Sequence, residues 1–167
     1  MWIFIVGNIV VKLVYVSSPY RAVYDSLTQN HNLSCDKVIE EAYCLTAALA
    51  QKGIDWVKNR NDKTQKFLPI SPIFVLERIY ARYNPFALKA EEPEIMEACF
   101  ELLGKCDEML VVDSPYTHKS SGIQAEINKA NELGIPVLYE LGEVKSVPDC
   151  RRGGYEEWLV ENGFKTL

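Results

Sequence analysis

The sequence predicts a single-domain α/β protein, a Rossmann-like or flavodoxin-like three-layer sandwich with a mostly parallel sheet. Short apolar strands alternate with segments of helical periodicity, the pattern that right-handed crossovers between parallel strands produce. The chain has 167 residues, of which 48% are hydrophobic, and it contains no internal repeat. We therefore expect residues 1–167 to form one domain around one core.

The N-terminal segment predicts two strands. Gly7-Asn8 lies between two β-branched runs, so residues 1–12 contain a tight hairpin or an extra strand that leads into the main strand at Leu13–Ser17. The first residues are apolar, but they have no basic start and no small-residue cleavage site, and Lys12 interrupts them. We therefore predict neither a targeting segment nor a membrane span here.

The next segment predicts a helix followed by a surface insertion. Residues 36–52 have apolar side chains at the helical period and acids at the start, and the helix is expected to be capped near Gly53. Residues 55–66 are polar and charged, which is typical of a surface insertion. The apolar run Phe67–Ile70 then predicts the second strand of the main sheet.

The C-terminal half predicts the remaining elements. Helices are expected at 73–83, 93–105, 120–133 and 155–162, and strands at 109–112 and 137–139. Asn84-Pro85 should end the first of these helices, and Gly134-Ile135-Pro136 should end the third. The helix at 93–105 has enough apolar positions on one side to pack against the sheet.

Composition and charge exclude several kinds of partner. The net charge is -5 and there is no long basic run, so the clustered cationic surface that a dedicated nucleic-acid binder needs is missing. The five cysteines form no C-x-x-C pair and are odd in number, which suits reduced core thiols in a cytosolic, cytoplasmic protein. Because only His31 and His118 could assist the thiols, we predict no metal site, and no cofactor is indicated.

Three loops should meet where the parallel strands end, which is the edge of an α/β sheet where ligands bind. Their candidate substrate-binding residues are Ser18, Pro19 and Arg21 after the first main strand and Ser71 after the second, and the third loop is 113–121. Each loop also has a purely structural interpretation, because Ser-Pro is a common turn and Tyr20 could simply cover the sheet end. Arg21 is equally well explained as an anion clamp or as a surface residue.

The third loop leads into the strongest candidate site. Ser120-Ser121-Gly122 opens a helix, and the free N–H groups and dipole of a helix start attract phosphate or carboxylate groups. Glu126 follows within the first two turns and could face the rest of such a ligand. An acid near a helix start is also favourable by itself, and serines there are commonly N-caps. The pattern predicts a small-molecule site, with a structural explanation left open.

Four segments stand in an order and spacing that match one known superfamily. They read V-Y-V-S-S-P-Y-R at 14–21, P-I-S-P-I at 69–73, C-D-E-M-L-V-V-D at 106–113 and S-S-G-I-Q-A-E-I-N-K-A-N-E-L-G-I-P-V at 120–137. In these segments the chain resembles the nucleoside 2-deoxyribosyltransferase superfamily, including its nucleotide N-hydrolase branch. The resemblance implies a nucleoside or nucleotide as the small-molecule partner. It also implies a homo-oligomer, at least a dimer, to which the tail 151–167 could contribute contacts.

The resemblance assigns roles to individual residues. Glu126 stands where the superfamily carries its nucleophile, and Ser120 and Gly122 match residues that hold a 5′-phosphate in the hydrolase branch. Transferases of unphosphorylated nucleosides tend to carry an acid at the position of Ser120, so the expected substrate is a nucleoside 5′-monophosphate. A carboxylate beneath the anomeric carbon stabilises or captures the oxocarbenium-like sugar that forms when an N-glycosidic bond breaks.

A second group must assist the departing base. Asp113 is the candidate for this task, and Tyr20 completes the predicted catalytic set. Related proteins usually carry an aspartate where this chain has Cys99, and often a histidine after the second strand, where it has Phe74 and Val75. The sequence therefore leaves open an N-glycosidic bond hydrolase or transferase and a catalytically impaired nucleotide-binding or sensing module on the same fold. A structural or interaction protein with an empty cleft is the third possibility.

Overall fold

The computed structural model of the protein describes residues 4–6, 9–30, 35–80 and 88–139. Its strands are β1 Phe4–Val6, β2 Ile9–Ser17, β3 Gln65–Ile70, β4 Glu108–Val111 and β5 Val137–Tyr139. Its helices are α1 Arg21–Asn30, α2 Cys35–Asn59, α3 Pro72–Tyr80, α4 Leu88–Leu103 and α5 Ser121–Leu133, and a short 3-10 helix covers Thr117–Lys119. The elements form a single-domain α/β fold, as the alternation of strands and helices predicts.

The sheet is built around β2. Strands β3 and β4 pair with β2 in parallel, β5 pairs with β4 in parallel, and β1 pairs with the start of β2 in an antiparallel hairpin arrangement. Tyr15 pairs with both Ile70 of β3 and Met109 of β4, so these two strands lie on opposite edges of β2. Val10 pairs with both β1 and β3, so β1 shares the edge of β2 with β4. The order of the parallel strands is therefore β3-β2-β4-β5.

Alternate residues of the central strands point to the two faces of this sheet. Tyr15 and Met109 pack with residues of α3, α4 and α5 on one face. Val14 and Leu110 pack with α2 on the other face. Helix α1 lies against α2 through a cluster of its own. Because both faces are covered by helices, the protein has the three layers that the sequence predicts.

Helix α2 ends later than the sequence predicts. The helix was expected to be capped near Gly53, but it continues to Asn59. A Cβ atom at Gly53 would stand 2.5 Å from Cγ1 of Val16 and 2.6 Å from Cγ2 of Val112. Gly53 is therefore needed for the close approach of α2 to the sheet, and it is not a C-cap. A single sequence does not distinguish these two uses of glycine, because only the packed structure supplies the neighbouring side chains.

The predicted insertion at 55–66 is also corrected. Residues 55–59 are the last part of α2, where Val57 is fully buried, and β3 begins at Gln65, so only residues 60–64 connect the two elements. The polar appearance of the segment is misleading because Arg60 lies over apolar rings. Its guanidinium carbon is 4.0 Å from the ring centroid of Phe67 and 5.2 Å from that of Trp56. The aliphatic and planar parts of an arginine can cover hydrophobic surface in this way.

Two further features differ from the predictions. Helix α1 was not predicted, although its apolar residues Val23, Tyr24 and Leu27 are buried against α2. Cys44 is exposed, whereas Cys99 and Cys106 are buried, so the expectation of core thiols fails for Cys44. Side chains at helical spacing were present in α1, but the polar residues between them obscured the period.

The other predicted elements are present, most of them with shifted ends, and β5 has the predicted bounds. The predicted hairpin is β1–β2. The predicted strands at 67–70, 109–112 and 137–139 are β3, β4 and β5, and the predicted helices at 73–83, 93–105 and 120–133 are α3, α4 and α5. Asn84-Pro85, the helix predicted at 155–162 and the tail 151–167 lie outside the described residues. Within the described ranges, none of the helices combines the length and the apolar character needed to cross a membrane.

Candidate functional site

The candidate site lies where the direction of chain winding changes. After β2 the chain builds β3 on one edge, and after β3 it crosses to build β4 on the other edge. Ser17 ends β2, and its carbonyl oxygen accepts a hydrogen bond from the backbone N–H of Val112 at 2.9 Å. The carboxyl ends of β2 and β4 thus meet at a topological switch point, the usual place for a ligand in an open α/β sheet.

Glu126 of α5 reaches across to β2 at this end of the sheet. Its side chain is buried, with 7% of the residue surface exposed. Tyr15 donates a hydrogen bond of 2.6 Å from Oη to Oε1 of Glu126, and Ser17 donates one of 2.5 Å from Oγ to Oε2. Because Tyr15 and Ser17 are two residues apart on a strand, both side chains point to the face that α5 covers. Both carboxylate oxygens are therefore held.

The electrostatic environment of Glu126 is unusual for a buried acid. Among the ion pairs of the described residues, none joins Glu126 to a cation. Burial raises the pKa of Glu126 above its ordinary value, and the hydrogen bonds from Ser17, Tyr15 and Cys99 offset this only in part. A buried carboxyl whose pKa is perturbed, at a switch point of the sheet, is a candidate for a functional group.

Cys99 of α4 lies beside this pair. Burial, and then the neighbouring charge of Glu126, raise the pKa of the Cys99 thiol to about 12. The same two causes raise the pKa of Tyr15 well above its ordinary value, and Cys99 adds to them. Four groups thus meet in one buried cluster, formed by Tyr15, Ser17, Cys99 and Glu126. We call this the Glu126 cluster.

The start of α5 contains the three predicted phosphate-binding residues. Ser120 is buried and is the N-cap, since its Oγ accepts a hydrogen bond of 3.3 Å from the backbone N–H of Ile123. Ser121 is exposed and Gly122 is half-buried. A Cβ atom at Gly122 would lie no closer than 3.8 Å to its nearest neighbour, Sδ of Met96. The alternative interpretation of a serine as an N-cap is therefore confirmed for Ser120. The helix start also has space around Gly122.

Ser18 and Ser71 have buried hydroxyl groups at the ends of β2 and β3. Neither Oγ atom has a hydrogen-bond partner within the described part of the chain. Pro19, next to Ser18, is buried as well. A buried hydroxyl without a partner costs free energy unless water or a ligand satisfies it. These two predicted substrate-binding residues are therefore available to a bound molecule.

The remaining predicted site residues are outside the Glu126 cluster. Tyr20 packs into the cluster between α1 and α2, with its ring centroid 5.0 Å from that of Tyr24. Arg21 forms an ion pair of 3.1 Å with Asp25, one turn further along α1. Asp113 is half-buried after β4, and it forms no hydrogen bond or ion pair with another residue of the described ranges.

Sequence reasoning missed Tyr15 and Ser17 as site residues. The signal that could have identified them is the strand period, which places residues 15 and 17 on one face and the apolar Val14 and Val16 on the other. A hydroxyl on each of two successive positions of one face is uncommon in a core strand. Within the described residues, no group of three or more acids, histidines or cysteines is arranged to hold a metal ion.

Comparison with known proteins adds no relatives. No protein-family model matches the chain, and no curated protein or solved structure matches it either. The fold and the Glu126 cluster therefore define the protein as a single-domain α/β protein with a buried carboxyl at its switch point.

Proposed function

We propose that the protein cleaves the N-glycosidic bond of a nucleoside 5′-monophosphate, by hydrolysis or by sugar transfer, with Glu126 as the nucleophile. The observation that carries the proposal is a buried carboxyl that two hydroxyl groups orient at the switch point, with no cation beside it among the described residues. A structural glutamate in such a position would usually be paired with a cation or replaced by an apolar residue.

The chemistry suits this arrangement. A carboxylate oxygen has two lone pairs, and Tyr15 and Ser17 each occupy one position on a different oxygen of Glu126. Cys99 also donates to this carboxylate, and a lone pair that none of the three donors uses would attack the anomeric carbon while the bond to the base breaks. The resulting sugar ester on Glu126 is then attacked by water in a hydrolase or by a second base in a transferase.

The start of α5 supports a phosphate on the substrate. The backbone N–H groups of Ser121 and Gly122 have no acceptor among the described residues. The acceptors of Ser120 are used by later residues, since its Oγ accepts from the N–H of Ile123 and its carbonyl from that of Gln124. Two free N–H groups and the helix dipole favour an anion at this position. The 5′-phosphate is the anionic group of the proposed substrate.

The base would lie toward the ends of β2 and β3. The hydroxyls of Ser18 and Ser71 are unpartnered there among the described residues, and Asp113 is the predicted acid that follows β4. Ser and Thr hydroxyls can both donate and accept, so they can hydrogen-bond to the mixed donors and acceptors of a base edge. We assign leaving-group assistance to Asp113 and treat Tyr20 as a residue that packs between α1 and α2.

One observation favours a second candidate function, a nucleotide-binding module without turnover. The group beside Glu126 is the thiol of Cys99, whose pKa burial raises to about 12. A thiol with that pKa is a poor proton donor to a departing base at neutral pH. If Asp113 does not assist the base, the site binds a nucleotide and leaves it intact.

A panel of nucleoside 5′-monophosphates, with free base measured by chromatography and binding by calorimetry, tests both candidates. The decisive variant is Glu126→Gln, and the matched control is Glu132→Gln, which changes an exposed acid of the same helix. Release of base that is lost only in Glu126→Gln supports the enzyme. Binding without release supports the second candidate, and the absence of both contradicts the proposed function.

The assembly and location follow the same proposal. We propose a homo-oligomer of two or more copies that acts in the cytoplasm on a small-molecule nucleotide, with no nucleic acid or membrane as partner. Analytical ultracentrifugation checks the assembly, and a monomer at the concentrations used in the assay would contradict it.

A further inference from the structure

We infer that Ser17 is a positioning residue for Glu126, which holds the Oε2 atom of the carboxylate at the carboxyl end of β2. This inference rests on the proposed function, because it explains how the nucleophile is oriented. Sequence reasoning did not assign a role to Ser17. Its hydroxyl oxygen is 2.5 Å from Oε2, the shorter of the two hydroxyl hydrogen bonds to Glu126 in the described residues.

The Ser17 hydroxyl makes one hydrogen bond among the described residues. Ser17 is 1% exposed, and Glu126 is the only partner of its side chain among the described residues. Its backbone is fixed independently, because Ser17 pairs with Val111 of β4 and its carbonyl accepts from Val112. The oxygen atom is therefore presented from a rigid strand end, as a preorganised site requires.

Tyr15 also donates to Glu126, but unlike Ser17 it has a second role in packing the core. Its ring is fully buried in the core beneath α3, α4 and α5, so the residue fills space as well as donating to Glu126. Removing Tyr15 would create a large cavity. Ser17 carries little volume, and its removal changes one hydrogen bond with little else. The two residues can thus be separated experimentally, and Ser17 gives the cleaner test.

The hydrogen bond from Ser17 favours the charged form of Glu126. The titratable groups that face Glu126 are Tyr15 from β2 and Cys99 from α4, and both are neutral at ordinary pH because burial raises the pKa of each. The residues of β4 on this face, Met109 and Val111, are apolar. Neutral donors, with the Ser17 hydroxyl the largest contributor, rather than a cation, therefore stabilise a negative charge on Glu126 in the described structure.

The experiment measures the titration of Glu126 directly, by carbon-13 NMR of labelled glutamate side chains in the full chain. The Glu126 signal is identified by its loss in Glu126→Gln. We expect Ser17→Ala to raise the proton affinity of Glu126 about tenfold or more, because a hydrogen bond to a charged group is lost. Ser17→Cys should give an intermediate result, since a thiol is a weaker donor of similar size.

Thr46→Val is the matched control. Thr46 is a fully buried residue of α2 whose hydroxyl donates to the carbonyl of Tyr43, so the variant removes a buried hydroxyl away from Glu126. It should leave the titration unchanged. An unchanged titration in Ser17→Ala would overturn the inference. Should Ser17→Ala fail to fold, the same measurement on Ser17→Cys decides, and an unchanged titration there would overturn it equally.

Failure of the inference and failure of the proposed function give different results. The NMR titration needs no turnover, so it reports on Ser17 even if no nucleotide is cleaved. If base is released, the acidic limb of the kcat profile should move to higher pH in Ser17→Ala by the same factor as the titration. A merely structural role for Ser17 would lower the melting temperature and leave that limb in place.

Discussion

Two buried glutamates at opposite ends of the sheet have opposite environments. Glu108 begins β4 at the amino end, where Lys12 lies 3.1 Å and Arg60 2.9 Å from its carboxylate oxygens. Glu126 lies at the carboxyl end and is held by two hydroxyl groups and a thiol, with no cation paired to it among the described residues. Burial raises the pKa of Glu108, but the bonds and charges of Arg60 and Lys12 outweigh it and lower the pKa overall. For Glu126, burial dominates and the pKa is raised.

This difference separates a structural end of the sheet from a candidate functional end. At the amino end two cations pair with Glu108, and Arg60 also covers the rings of Trp56 and Phe67, although its Nη1 atom has no hydrogen-bond partner in the described ranges. At the carboxyl end, Glu126 has no such cation in the described ranges, and the hydroxyls of Ser18 and Ser71 have no partner. A buried carboxyl without a cation and buried hydroxyls without a partner cost free energy unless water or a ligand satisfies them, so the carboxyl end is the candidate functional end.

The largest expected effect concerns turnover. Under the proposed function, Glu126→Gln should lower kcat/KM for base release by about a thousandfold or more, because an amide is not a nucleophile toward the sugar. Glu108→Gln should leave kcat/KM within about threefold, since Glu108 is at the other end of the sheet. Chromatography of released base measures both variants. Equal losses of kcat/KM in the two variants would contradict the assignment of a catalytic role to Glu126 alone.

The second prediction concerns stability, for which Glu108→Gln should be more damaging than Glu126→Gln. Glu108→Gln should lower the free energy of unfolding by about 1–2 kcal/mol, because it removes the charge that Lys12 and Arg60 share. This value lies between those of exposed and buried ion pairs, since the side chains of Lys12 and Arg60 are 39% and 26% exposed. Urea titration measures it. Glu132→Gln, in an exposed pair with Lys129, should change stability by less than about 0.5 kcal/mol.

The third prediction concerns pH. The folded pKa of Glu126 is raised above the ordinary 4.5, so its favourable contribution is present below pH 4.5 and is lost as pH rises through the folded pKa. Glu126→Gln should therefore be more stable than the parent chain near pH 7, by an amount on the order of 1 kcal/mol, and equal to it near pH 4. Glu108, whose pKa is lowered, stabilises above pH 4.5 and loses this contribution in acid. Melting temperatures across this pH range test the opposite slopes.

The smallest expected effect is at the start of α5. Gly122→Ala meets no atom closer than 3.8 Å, and alanine is preferred to glycine in a helix. Stability should stay the same or rise by less than about 1 kcal/mol, while nucleoside monophosphate binding weakens because the added methyl group occupies the space beside the free N–H groups. Calorimetry against the parent chain tests this. Unchanged affinity would place the phosphate elsewhere.

The fold could be predicted further than the site. Strand and helix identity follow from local periodicity, so the α/β class and most elements were predictable, and β5 begins and ends where the sequence indicates. The end of α2 was not, because the role of Gly53 depends on Val16 and Val112, which no local pattern connects to it. Glycine punctuates a sequence in the same way whether it ends a helix or permits close packing.

The predicted site residues divide in the same way. Glu126 and Ser120 could be selected because a helix start leaves a local signature, and Ser120 is indeed the N-cap of α5. The partners of Glu126 could not be selected, since Tyr15 and Ser17 are 111 and 109 residues away along the chain. Tyr20 and Arg21 lie close to Ser17 in sequence, yet their described contacts are with Tyr24 and Asp25 in α1.

The amino-acid sequence by itself determined the alternation of strands and helices and the position of a carboxyl group in the first turns of α5, because both depend on neighbours a few residues away. Only the tertiary structure decided that this carboxyl is buried and bonded to two hydroxyls, while Glu108 meets two cations. The physical reason is that burial and charge pairing depend on the order and register of strands, which bring distant residues within hydrogen-bond distance.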